Sequence, residues 1–158
     1  MQEVTLLGLL FNKDAKFVCL VRCGAAWDGI SGALPFGEIP DACMPVLASK
    51  HVNISPTVSW HPLVDIYLGN RTIKTFVCAD QKAFNDACRT YPQALRKINV
   101  RDAPTLIQGT APFLDFLIPM GACFAAQDFK LQTVPVIRVA EEEPCPTKHR
   151  EDRAFALV

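Results

Sequence analysis

Two β-rich runs, Leu63-Val-Asp-Ile-Tyr-Leu68 and Thr72-Ile-Lys-Thr-Phe-Val-Cys78, flank Gly69-Asn70-Arg71. Glycine and asparagine reach the backbone conformations that tight turns demand, and β-branched or aromatic residues suit a half-buried pleated surface. Segment 63–78 therefore predicts an antiparallel hairpin, and the fold must contain a sheet that accepts it. Val4 to Phe11 reads as a buried strand, Asn12-Lys-Asp-Ala15 as a turn, and Lys16 to Cys23 as the returning arm. Gly24 to Gly37 reads as loop, because Gly24, Gly29, Gly32 and Pro35 interrupt any regular pattern.

The remaining elements mix helix with strand. A short helix is predicted from about Met44 to His51, with Asp41 as a cap and Pro45 confined to a first turn. Lys82 to Leu95 carries helical turns as far as Pro92, and Ile98 to Arg101 suits a short strand. Apolar residues at 113, 114, 116, 117 and 118 predict a helix over Pro112–Phe124, opened by Pro112 and disturbed by Pro119. Val134 to Val139 reads as a late strand. The fold class is α+β.

A chain of 158 residues, 50% of them apolar, usually makes one domain and buries roughly 70% of its unfolded surface. Sixteen basic residues balance sixteen acidic ones, so no global field favours nucleic acid or an anionic membrane. The apolar runs are too short to span a bilayer, and the start lacks the basic region and cleavage site of a secretory signal. Seven cysteines include no Cys-x-x-Cys, and His51, His61 and His149 are not grouped with cysteine pairs, which disfavours structural zinc. Reduced thiols and a cytoplasmic setting are expected, with Cys19 acting as a small hydrophobe. From Ala140 the chain turns charged and proline-broken, so residues 1–139 are expected to form the domain and 140–158 a polar tail ending in Phe155-Ala-Leu-Val158.

The order of features from Val4 to Ile54 resembles the Nudix hydrolases. These are the strand Val4–Phe11, a hairpin ending Phe17-Val-Cys-Leu-Val-Arg22, Trp27, and Gly32-Ala-Leu-Pro-Phe-Gly37. Leu34-Pro-Phe-Gly37 stands where the family has Leu-Pro-Gly-Gly, with Phe36 replacing the first glycine. The hairpin at 63–78 and the apolar helix at 112–124 also follow the family order. The resemblance covers residues 3 to about 126 and implies an α/β/α sandwich around a mixed sheet.

The family box, Gly-x5-Glu-x7-Arg-Glu-x2-Glu-Glu-x-Gly, gathers glutamates on one helical face, where they hold magnesium. That metal neutralises a diphosphate and helps generate the attacking hydroxide. Counted without a gap from Gly37, Cys43 takes the first Glu, His51-Val52 the Arg-Glu and Ser55-Pro56 the Glu-Glu. With five residues deleted, Val46-Leu47 takes Arg-Glu, Lys50-His51 takes Glu-Glu, and Asn53-Ile54 ends the helix. Neither register keeps a helix glutamate, and no Asp or Glu stands between Asp41 and Asp65. A rebuilt metal site would have to draw on Glu38, Asp41, Asp65, Asp86, Asp102 and Asp115.

The resemblance implies a cleft with Arg22, Trp27, Phe36, Gly37, Glu38, Lys50 and His51 as ligand-binding candidates. Arg22 suits a phosphate by its fork geometry, Trp27 and Phe36 suit a base by their faces, and Lys50 with His51 suits an anion in place of the metal. Each also has a plainer reading: an exposed strand-end arginine, packed aromatics, and cations at a helix C-terminus. Trp60-His61 suits a loop lid or a packed loop, and Cys43 has only His51 as a candidate base. Catalytic residues are not assigned, and no metal or cofactor is expected unless hydrolysis survives, when magnesium or manganese would be needed. Three functions follow. The first is binding of a nucleotide-like phosphate compound or a protein partner without family catalysis. The others are a divergent pyrophosphohydrolase acting on a nucleoside diphosphate linked to another moiety, and a structural or interaction module. Family members are often homodimers, so a homodimer is a further expectation.

Overall fold

The computed structural model describes residues 3–90, 95–105, 112–130 and 134–139. The segment 140–158, expected as a polar tail, lies outside the described residues. Among the described residues, eight strands form one mixed sheet: β1 (Glu3–Phe11), β2 (Phe17–Cys23), β3 (Ala26–Asp28), β4 (Ile30–Ala33), β5 (His61–Leu68), β6 (Arg71–Ala79), β7 (Leu95–Asn99) and β8 (Val136–Arg138). The described helices that cover it are α1 (Pro40–Val52), α2 (Gln81–Thr90) and α3 (Leu114–Ala126), with a 3-10 turn at Val100–Thr105.

β1 is central. Along one side it runs parallel to β6 for its whole length, from Glu3↔Arg71 to Phe11↔Ala79. Its other side is shared: β4 pairs antiparallel with Thr5–Gly8, and β2 pairs antiparallel with Leu10 and Phe11. β5 then extends the sheet from β6, β8 runs parallel to β5, and β3 and β7 both pair with β2. The alternation along β1 serves two cores. Leu6 and Leu10 meet Met44 and Ala48 of α1 and Phe84 and Ala87 of α2 on one face. Leu7, Leu9 and Phe11 meet Leu114, Leu117, Ile118 and Phe124 of α3 on the other. This is the expected α/β/α arrangement, because a strand buried on both sides must be apolar at successive positions.

The predicted hairpin forms, with a two-residue turn at Gly69-Asn70; Arg71 belongs to β6, where it pairs with Leu68. Only Gly69 takes positive φ (66°), as a turn with glycine first requires. A bulge in β5 between Pro62 and Asp65 is closed by buried Thr75. Its hydroxyl accepts the Val64 N–H (3.0 Å) and donates to the Val64 carbonyl (2.7 Å).

Three sequence expectations need correction. The stretch 24–37, read as loop, holds β3 and β4, whose pairing partners come from distant β2 and β1 rather than from local propensity. α1 starts at Pro40, not Met44, so Pro45 lies inside it; Pro119 likewise lies inside α3, which starts at Leu114 after Pro112. Each interior proline removes a donor to the carbonyl four residues earlier, on Asp41 and Asp115, and both are solvent-exposed. The strand expected at Ile98–Arg101 is β7, ending at Asn99 and continuing into the 3-10 turn. No described helix is long and apolar enough to cross a membrane.

Candidate functional site

α1 decides which box register applies. The helix ends at Asn53, whose backbone is left-handed (φ 53°, ψ 41°), and the next residue, Ile54, is buried. That is how a helix closes when glycine or asparagine stands just past its last turn. It coincides with the gapped register, so Val46-Leu47 stands at Arg-Glu and Lys50-His51 at Glu-Glu. Ala48, between them, is fully buried on the sheet. Leu47 lies on β4: a Cβ added to Gly32 would stand 2.7 Å from Leu47 Cδ1. Lys50 and His51 are exposed in the last turn, where the lysine charge suits the helix C-terminus. One aliphatic chain, an ammonium and an imidazole do not make the oxygen cage that magnesium requires. These residues do not fit the metal that the family box holds.

The scattered acids do not replace it. Asp65 pairs with Lys74 at 3.0 Å, and Asp86 accepts from both Lys82 (2.9 Å) and Arg89 (2.8 Å). Asp41 and Asp115 lie in the first turns of different helices on opposite faces of the sheet. Among the described residues, no three His, Cys, Asp or Glu side chains gather closely enough to hold a metal ion.

The binding candidates form three groups. Phe36, Gly37 and Glu38 share the turn that enters α1, where the Glu38 N–H donates to the Pro35 carbonyl (3.1 Å) and Gly37 takes φ 82°. Glycine at that position is what a type II turn needs, and the turn lifts Phe36 into solvent. Phe36 and Gly37 border a cavity of about 370 Å³ with Leu34, Pro35, Glu3 and Val4. Arg22 and Trp27 are cross-strand partners on β2 and β3, with the guanidinium carbon 5.4 Å from the ring centroid. Arg22 Nε also donates to the Gly24 carbonyl (3.4 Å), and Trp27 packs toward the α3-side core. Lys50 and His51 stand ten or more residues along α1 from Pro40, about 15 Å of axial rise. Arg22 and Trp27 meet and belong to the α3 side; the others belong to the α1 side. Cys43 and His51 are eight residues apart on α1, about 12 Å of rise, and make no nucleophile–base pair.

Two features were not legible as site residues. Asp28, beside Trp27, is half-buried; burial raises its carboxyl above the ordinary value, against hydrogen bonds from the Gly29 N–H (2.7 Å) and Ser31 hydroxyl (3.3 Å). A larger cavity, about 470 Å³, opens where the β6 end and α2 start meet the loop after α1, lined by Ser55, Thr57, Ser59, His61, Lys82 and Phe129 among others. His61 begins β5 rather than forming a lid, and its ring stacks on Phe129 at 3.8 Å. Trp60 instead packs toward Gly8, with its buried indole N–H unpartnered among the described residues. The sequence signals near this cavity were the Trp60-His61 pair and Asp86, and they did not mark it because its walls come from three separate segments, 55–61, 78–86 and Phe129.

No sequence-family profile and no curated protein matches this chain. Solved structures do. A MutT from work on Aliivibrio salmonicida and Vibrio cholerae superposes with a TM-score of 0.55 and 11% identity, over 79% of this chain and 96% of that one. A mutT/nudix family protein from Listeria innocua gives a TM-score of 0.58 and 11% identity, over 80% of this chain and 94% of that one. With the mixed sheet, the flanking helices and the closure of α1 at Asn53, these likenesses establish that the chain has a Nudix-like fold.

Proposed function

We propose that this protein is a Nudix-fold binder that has given up the family's metal-dependent hydrolysis. The observation that carries the reading is the composition of α1, where Leu47, Lys50 and His51 occupy the positions of the metal-holding carboxylates. A hydrolase of this type needs a divalent cation to neutralise a diphosphate and activate water, and at these positions the Lys50 ammonium repels it while Leu47 and His51 offer no carboxylate oxygen. The same lysine and histidine attract the anion directly, so a nucleotide-like phosphate compound is the proposed small-molecule ligand, in a cytoplasmic setting.

A specific surface feature favours a second reading, a protein partner. Phe36, Ile39 and Val46 are 86%, 66% and 46% exposed. Ile39, Ala42 and Val46 recur at helical spacing, so they form an apolar stripe along the outer face of α1, headed by Phe36. Exposed apolar patches of this kind serve interaction more often than solubility.

The test is a turnover screen with magnesium or manganese and a panel of nucleoside di- and triphosphate derivatives, with thermal shifts read on the same samples. A raised midpoint without turnover is the expected result, since a ligand that favours the native state stabilises it. Metal-dependent hydrolysis that vanishes on Glu38→Ala or Asp41→Ala overturns the proposal in favour of a divergent pyrophosphohydrolase. Neither shift nor turnover moves the assignment to the protein-partner reading.

A further inference from the structure

Helix α2 shows what a solvated helix looks like in this protein. Gln81, Lys82, Asn85 and Arg89 are exposed, and Lys82 and Arg89 both pair with Asp86. The outer face of α1 is built differently. Opposite its buried Met44, Ala48 and Val52 stand Ile39 (the N-cap), Ala42, Val46 and Lys50, spaced three and four residues apart and all exposed. The apolar three are bounded by exposed Glu38 at the N-terminal end and by Lys50 at the C-terminal end. Among the described residues, neither the Glu38 carboxylate nor the Lys50 ammonium has an ion-pair partner.

We propose that this face of α1 binds the same face of a second copy, the two helices lying antiparallel about a two-fold axis. The inference rests on the protein-partner reading above and names the partner. The charge pattern selects it. Ile39 and Lys50 are eleven residues apart, about 16 Å of axial rise. A two-fold axis level with the middle of that span sets Lys50 of each copy level with Ile39 of the other, next to its Glu38. Both ammonium groups then meet carboxylates, whereas a parallel alignment opposes like charges at both ends. The helix dipoles also run antiparallel.

Ala42 and Val46 flank the axis, and the small Ala42 lets the helices approach to about 8–10 Å. Exposed ion pairs add little affinity, so the apolar centre supplies the attraction and the charges supply direction. One helix per copy falls at the small end of specific interfaces, below about 1,200 Å² in total, so the dimer exchanges with monomer. The outer face of α3 is apolar too, with Pro119, Met120 and Cys123 exposed, but it lacks the pattern. It has Asp115 in its first turn and no base in its last.

The test is sedimentation velocity of the full chain without ligand, from about 1 to 300 μM, a range that brackets weak interfaces. The expected result is a mass that climbs with concentration from 17.4 kDa towards twice that value. Val46→Glu, at a position 46% exposed, abolishes the climb. Lys50→Glu and Glu38→Lys each weaken association by about tenfold, and the two together restore it, because the charges have exchanged ends. Recovery in the double variant also shows that the single variants lost the contact rather than the fold. A monomer at every concentration, a dimer that persists in Val46→Glu, or a double variant no stronger than the single ones overturns the proposal. The protein-partner reading fails by a different measurement. A nucleotide-dependent rise in melting midpoint that Lys50→Ala removes puts a small anion at that end of α1.

Discussion

Leu47 of α1 rests on the bare α-carbon of Gly32 in β4, so close that a Cβ there would stand 2.7 Å from Leu47 Cδ1. The helix face that holds carboxylates in the resembled family is here an apolar contact with the sheet. Leu47→Glu forces an ionised group into that contact, at a cost of about 1–3 kcal/mol. The expected outcome in urea unfolding is a lower midpoint, with no recovery when magnesium is added. Recovery by magnesium would show that the site still accepts the metal.

Gly8 faces Met44 and Trp60 between the core residues Leu6 and Leu10 of β1. A Cβ at Gly8 would overlap Met44 Cε and stand 2.8 Å from Trp60 Cζ3. The thioether can move aside but the indole ring cannot, so Gly8→Ala is expected to cost about 1–3 kcal/mol through overpacking. Met44→Ala clears part of the space. A double-mutant cycle should therefore show the two changes coupled by at least about 0.5 kcal/mol, the double variant losing less than the sum. Simple additivity would mean that the indole alone sets the constraint.

Thr75 holds the β5 bulge by engaging both backbone groups of Val64. Thr75→Val keeps the shape but leaves a buried N–H and a buried carbonyl unpaired, for a loss of about 1–3 kcal/mol. Thr75→Ser retains the hydroxyl and should lose less than Thr75→Val. Equilibrium unfolding of the two variants side by side checks the order.

His61 gives the fold a pH dependence. Burial lowers its imidazole below the ordinary 6.5, so the folded state takes up the proton less readily than the unfolded chain. The stability present above pH 6.5 is therefore lost as pH falls through that value towards the folded one. Melting temperatures between about pH 7.5 and 5 should fall less steeply for His61→Gln than for the unaltered protein. Parallel curves would assign the pH dependence to other groups.

What the amino-acid sequence determined by itself was local. The Gly69-Asn70 hairpin, the apolar strand at Val4–Phe11 and the absence of acids between Asp41 and Asp65 are legible because each depends on residues within one stretch of chain. The three-layer fold was what the resemblance to the Nudix hydrolases implied. Only the tertiary structure placed β3 and β4 in a glycine-rich stretch, since strands that short are held by partners in β1 and β2. It also chose the box register, because the closure at Asn53 depends on Ile54 finding a buried place against the sheet. The cavity at His61 belongs to the same class. A residue's turn chemistry is written beside it in the chain, whereas its neighbours across a sheet or beneath a helix are chosen by pairing and burial between distant segments.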